Sequence, residues 1–421
     1  MATYNTPLML SVLKGCPEEI PCSDDKYADD SSKSLLDFSR ENTVLGNMAR
    51  SRVTFMLWLY ATVTIRDGMK GSVHTEEVQW FYNKALKLMQ ETLKKEAEAG
   101  QYSDHLLNAL SCITAAASFA GMFNTAVLHR DATIRVLRIR GDGDVLKGLQ
   151  SAPAWTSKAL QWCEMMVATQ LAETPQMPYY HATTSKPLPD NVVYEAEQLT
   201  AATLSNLPCV SEPIQYIIRL LHQIGVAYAK RTAGTKVDSY IIEPLYDALY
   251  ALLQMQEAHK KTGILSDAEH LLVETFQLYF WTGVRLLPPA TRLCDLLVSR
   301  VMKALLPLLL NTLPEEAENF CQTARGYAVD TSIDEERVLK TLNHPSTTNN
   351  LIAWSLALGT VATMPLNRPE YMWFKGHFQS YLQAMGLDQD EEGYYALLKM
   401  FPTTDGLGWI GLKKLFGTLQ T

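Results

Sequence analysis

From Asn42 to the end of the sequence, apolar residues return every three or four positions, and no stretch alternates apolar and polar side chains for long enough to make a strand. That period gathers apolar groups on one side of a helix, whereas a half-buried strand needs a period of two. The expectation is an all-α fold. One large multi-helix domain of irregular helix hairpins should cover 42–421, behind a polar, loosely ordered leader at 1–41 that contains the acidic run DDKYADDSS. Hydrophobic residues make up 47% and charged ones 19% of the 421, enough apolar side chain for a large core and too much for wholesale disorder.

Start and stop signals place the individual helices. Thr75 caps a helix whose first turn carries Glu76 and Glu77, which suits the positive end of its dipole. Its apolar stripe is Tyr82, Ala85, Leu86, Met89 and Leu93, Glu91 can pair with Lys95 on the outer face, and it ends near Gly100. Helices are expected over His105–Ala120, over Asn124–Arg140, stopped by Gly141-Asp142-Gly143-Asp144, and over Trp155–Ala172. The proline-marked stretch 173–190 is the clearest internal loop. The pattern resumes after Glu212 to about Arg231, then from Val237 to His259 with Pro244 near its start. Ser266 and Glu269 form a capping box ahead of a stripe of Leu272, Phe276, Tyr279 and Phe280. Thr291–Leu313, kinked or broken at Pro307, Glu335–Leu342, Asn349–Met364, Glu370–Met385 and Glu391–Phe401 complete the series. No fixed repeat of about 34 or 40 residues recurs, which argues against a solenoid.

The chemistry that can be read directly is mostly exclusion. A net charge of −8 does not suit an autonomous nucleic-acid binder, and the lysine pairs Lys94-Lys95, Lys260-Lys261 and Lys413-Lys414 lie far apart as solvated helix surface. Cys16, Cys22, Cys112, Cys163, Cys209, Cys294 and Cys321 form no C-x-x-C pair and read as buried free thiols in a reducing compartment. The sequence holds no Walker loop, no G-x-G-x-x-G, no G-x-S-x-G and no H-E-x-x-H. Asp24, Asp25, Asp29 and Asp30 are a flexible acidic segment, not the diphosphate-holding carboxylates of a terpene cyclase, and His74 beside Glu76 and Glu77 belongs to a capping turn. His129, Arg140, His222, Glu274 and Arg285 lie in apolar helices, where a paired, structural role is the usual one. Phe276, Tyr279, Phe280 and Trp281 are expected to pack a core rather than line a ligand cavity. No catalytic, cofactor-binding or metal-binding residue is assigned, and no cofactor is expected. The apolar runs Leu305–Leu310 and Leu351–Leu366 fall short of the ~20 residues that span a bilayer, so no membrane contact is expected. The N-terminus lacks the basic-then-apolar pattern of a secretory signal.

Several blocks, in order, resemble the C-terminal regulatory ("fungal-specific transcription factor") domain of fungal binuclear zinc-cluster transcription factors, over roughly Val53 to Phe416. FYNKALKLMQETLKK (Phe81–Lys95) is similar to the family's helix with Tyr before Ala-Leu. LHRDATIRVLRIRGDGDVLKGL resembles its His…Arg-Gly-Gly turn through His129, Arg140 and Gly141, with Asp142 in place of the second glycine. Trp162, Glu164 and Pro175 match a Trp-x-(acidic) helix that ends in proline. Trp354 and Gly359, then Trp373 and Phe374, match the closing Leu-x-x-Trp…Gly and Trp-Phe elements. The family's zinc module needs six cysteines in C-x2-C-x6-C repeats, and Cys16 and Cys22 cannot supply two metals. The resemblance therefore implies transcription regulation by ligand sensing or protein contacts, in nucleus or cytoplasm. The partner would be transcription machinery or a DNA-binding regulator, with an apolar small molecule as ligand and no direct nucleic-acid contact. The alternative is an all-α enzyme recruited from that fold, a cyclase or isomerase of secondary metabolism acting on an apolar terpenoid or polyketide.

Overall fold

The computed structural model describes residues 51–69, 75–181, 185–230, 238–285, 287, 291–310, 346–364, 368–402, 411–412 and 415–416. The leader with Asp24, Asp25, Asp29, Asp30, Cys16 and Cys22 lies outside them, as do His74, Cys321, the Glu335–Leu342 helix and Lys413-Lys414. Among the described residues there are fourteen α-helices and one π-helical turn, with no strand, so the protein is all-α. Its contacts divide into two compact units: Met1–Thr184 with Arg285–Leu293, and Ser185–Val284 with Cys294–Thr421.

In the first unit, α1 (Arg52–Met69) packs on α2 (Glu76–Ala99) and α3 (Asp104–Phe119); α3 packs on α4 (Phe123–Arg140) and α6 (Ala154–Leu171), and the short α5 (Val145–Gln150) on α4. Thr75 accepts the N–H of Val78 at 3.3 Å, as its capping role requires, and its hydroxyl donates to Asp67 Oδ2 at 2.5 Å. The α2 stripe runs out early: Ala85 and Met89 are buried, but Leu93 is 39% exposed. Gly141 and Gly148 set how close α4 and α5 come. A methyl at Gly148 would stand 1.9 Å from the Leu137 carbonyl oxygen, and one at Gly141 would stand 1.9 Å from that of Asp144. Helix α6 is the centre of the unit, because every residue from Leu160 to Gln170 is buried and that stretch has no solvent face.

In the second unit, α7 (Asp190–Ser205), α8 (Glu212–Ala229) and α9 (Asp238–Thr262) pack in sequence. Next come α10 (Asp267–Tyr279), the π turn Phe280–Val284, α11 (Arg292–Leu310, of this unit from Cys294), α12 (Ser346–Thr363), α13 (Pro369–Ala384) and α14 (Glu391–Lys399). Helix α10 packs on α12, and the Thr275 hydroxyl donates to Ser355 across that contact at 2.9 Å. Trp354 stacks on Phe401 with centroids 4.6 Å apart and meets Phe276 edge-on at 5.6 Å. The capping box of Ser266 and Glu269 is present. Helix α7 starts at the end of the proline-marked loop, where the sequence offers Asp190 but only a sparse stripe. Pro244 and Pro307 lie inside α9 and α11, and α11 continues past Pro307 to Leu310.

Candidate functional site

Polar chemistry inside the protein concentrates around two glutamates, one in each unit. Glu164 lies on the enclosed stretch of α6 and is 1% exposed. Its Oε1 accepts the N–H of Gln176 at 2.5 Å, so a side chain of α6 ties down the segment that follows Pro175. Burial pushes the Glu164 carboxyl above the usual carboxylate range, against the pull of the Gln176 N–H and of the Arg130 guanidinium. Arg130, 4% exposed, donates from Nε to Asp131 at 3.0 Å. Two residues before Glu164, the indole of Trp162 lies under the Arg285 guanidinium at 3.5 Å, a cation–π contact. Cys163 donates to the Ser111 carbonyl at 3.1 Å.

The second site is a chain of side chains. Gln277 Nε2 donates to Gln256 Oε1 at 3.1 Å, and Gln256 Nε2 donates to Glu274 Oε2 at 2.9 Å. The other oxygen of Glu274 faces His270 Nε2 at 3.8 Å, and the His270 ring lies against that of His259 with centroids 4.3 Å apart. Burial raises the Glu274 carboxyl, while Arg300, itself lowered by burial, attracts it toward the charged form.

Of the remaining polar residues picked out from the sequence, His222 and Arg140 have partners, while Nε2 of His129 is buried without one, against the expected paired role. His222 meets the Thr203 hydroxyl at 2.7 Å, and burial lowers its imidazole to about 4, so it is neutral at pH 7. His129 is likewise lowered to about 4 by burial. Arg140 donates to Asp104 at 2.7 Å, which joins the end of α4 to the start of α3. Glu274 and Arg285 belong to the two sites above; Arg130, Glu164, Gln256, Gln277, His259, His270 and Arg300 join them without a local sequence signal for partnership. Phe276, Tyr279, Phe280 and Trp281 are each no more than 1% exposed and pack the core of the second unit. Burial pushes the Cys294 thiol up to about 12, which keeps it protonated, and Cys163 is buried as well; Cys112 is only partly buried and Cys209 is exposed, so the expected burial does not extend to every thiol.

Among the described residues no group of three or more His, Cys, Asp or Glu is arranged to hold a metal ion, and no helix is long and apolar enough to cross a membrane. Comparisons with family models, curated proteins and solved structures found no match to this chain.

Proposed function

We propose that this chain is a transcription-regulator-like protein that acts through ligand sensing or contacts with other proteins, and that these 421 residues read no bases. One observation carries the reading. The two closing motifs on which the resemblance rests dock on each other: a methyl at Gly359 of α12 would stand 2.2 Å from Cε1 of Phe374 on α13. Phe374 is fully buried, so its ring has nowhere to move and the position takes glycine alone. A glycine in one motif and an aromatic ring in the other thus work as one contact, which supports reading the two motifs together. The net charge of −8 points the same way, because a phosphate backbone attracts basic surfaces. The partner is a DNA-bound regulator or a component of the transcription machinery, met in nucleus or cytoplasm. In a mobility-shift assay at physiological salt, the purified chain should bind no DNA sequence specifically; specific nanomolar binding would refute the proposal.

A second reading, a cyclase or isomerase of apolar terpenoid or polyketide substrates, is favoured by one feature. Glu274, a carboxyl that holds its proton unusually well, shares α10 with the buried rings of Phe276 and Tyr279. A buried carboxyl raised in this way is the kind of general acid that a cyclase uses. Incubation with isoprenyl diphosphates and Mg2+ tests the terpenoid version, and unchanged substrate counts against it.

A further inference from the structure

The turn between α9 and α10 is tied by an unusual acceptor. The backbone N–H of Leu265 donates to Nδ1 of His259 at 3.2 Å, six residues back in the last turn of α9. A ring nitrogen accepts only while it carries no proton; a doubly protonated imidazole is a donor at both positions. Beside that bond, the Gly263 N–H donates to the His259 carbonyl at 2.7 Å and the Ser266–Glu269 capping box closes the far end; Gly263 sits at φ +63°, Ile264 is 70% exposed, and Leu265 is buried, at 8%.

The surroundings of His259 resist a second proton. Its face is covered by the His270 ring at a 33° interplanar angle. Beyond His270 stands Glu274, with the buried Arg300 of α11 facing that carboxylate from the other side. Asp267, in the first turn of α10, is the other acidic group facing the pair, while Glu269 is engaged by the Ser266 and Ser211 N–H groups. Burial, then the neighbouring His270, holds His259 below the usual histidine range, and Glu274 and Asp267 oppose this. Burial lowers His270 as well.

We propose that the α9–α10 turn is an acid-released latch, in which the unprotonated Nδ1 of His259 holds the Leu265 amide and a proton taken up by the His259–His270 pair lets it go. The release frees Leu265 at a turn that already exposes Ile264, so acidification uncovers an apolar corner of the second unit. This goes beyond the regulatory reading and does not depend on it.

Backbone hydrogen exchange on the full chain tests the latch, with rates corrected for their intrinsic pH dependence. As pH falls below 6.5, where the lowered His259 takes its proton, the amide of Leu265 should lose protection by up to about tenfold for each pH unit. Amides of α12 should hold theirs over the same range. His259→Asn places an oxygen that accepts the same N–H without titrating, and its protection should be flat with pH. His270→Asn removes the facing imidazole and should move the wild-type midpoint upward. Should His259→Asn leave the amide unprotected at every pH, the wild-type and His270→Asn midpoints decide. Protection of Leu265 that does not change with pH in the wild type, or a midpoint unmoved by either substitution, overturns the latch.

Discussion

Glu164 and Glu274 each sit on a helix that is enclosed along most of its length, and burial raises the carboxyl of each, yet different parts of the chain hold them. Glu164 is bound by a backbone N–H from the segment after its own helix, so it acts as a tie for a loop. Glu274 is bound by side chains of α9 and α10 and faced by Arg300, so it acts as a node of a network. A backbone partner stays available whatever side chains change around it. A side-chain network depends on every member keeping its protonation and rotamer. The second unit should therefore be the more sensitive of the two to substitution and to pH.

The largest test of that contrast is steric. Trp354→Ala should cost the second unit about 4 kcal/mol in denaturant unfolding, because the ring is fully buried between Phe276 and Phe401 and leaves a cavity. Next comes the pair of carboxyls. Glu274→Ala should cost about 3 kcal/mol by removing the buried carboxyl that accepts from Gln256 and faces Arg300, against about 2 kcal/mol for Glu164→Ala, which leaves the Gln176 N–H without its acceptor. Equal costs would erase the distinction between tie and node. Limited proteolysis adds a sharper readout, since only Glu164→Ala should open a cut between 173 and 181. Gly148→Ala should cost about 2 kcal/mol in the first unit, because the methyl meets backbone oxygen rather than a movable side chain.

The pH effect is gradual and spread over three groups. His222 and His377 of the second unit and His129 of the first are lowered by burial to about 4 from 6.5. Their folded forms bind fewer protons than the unfolded chain, so the stability they contribute is whole above about pH 6.5 and is lost as pH falls toward 4. Each should subtract up to about 3 kcal/mol over that window, since a shift of one pKa unit is worth about 1.4 kcal/mol, read as a falling unfolding midpoint. His222→Gln should flatten part of the fall, and an unchanged pH profile would contradict the burial of His222 beside Thr203.

The helices were legible because capping signals and period agree: Thr75, the GDGD turn and the Ser266–Glu269 box all sit where the chain changes direction. Helix α7 was not, since Asp190 opens it behind a proline-rich loop and only Val192, Ala196, Thr200 and Thr203 turn inward. Glu274 could be picked out as a polar residue in an apolar helix. Its partners could not, because Gln256 and Arg300 come from other helices and sequence spacing says nothing of which helices meet. Leu93 keeps the period of Ala85 and Met89 yet is exposed, because period alone does not say how far along a helix its partners reach.

The regulatory reading makes its most direct claim about transcription. The full chain, tethered to an unrelated DNA-binding domain at a reporter promoter in a fungal cell, should change reporter output several-fold relative to the tether alone. Output equal to the tether alone, from a chain shown to be folded and present in the nucleus, would contradict it.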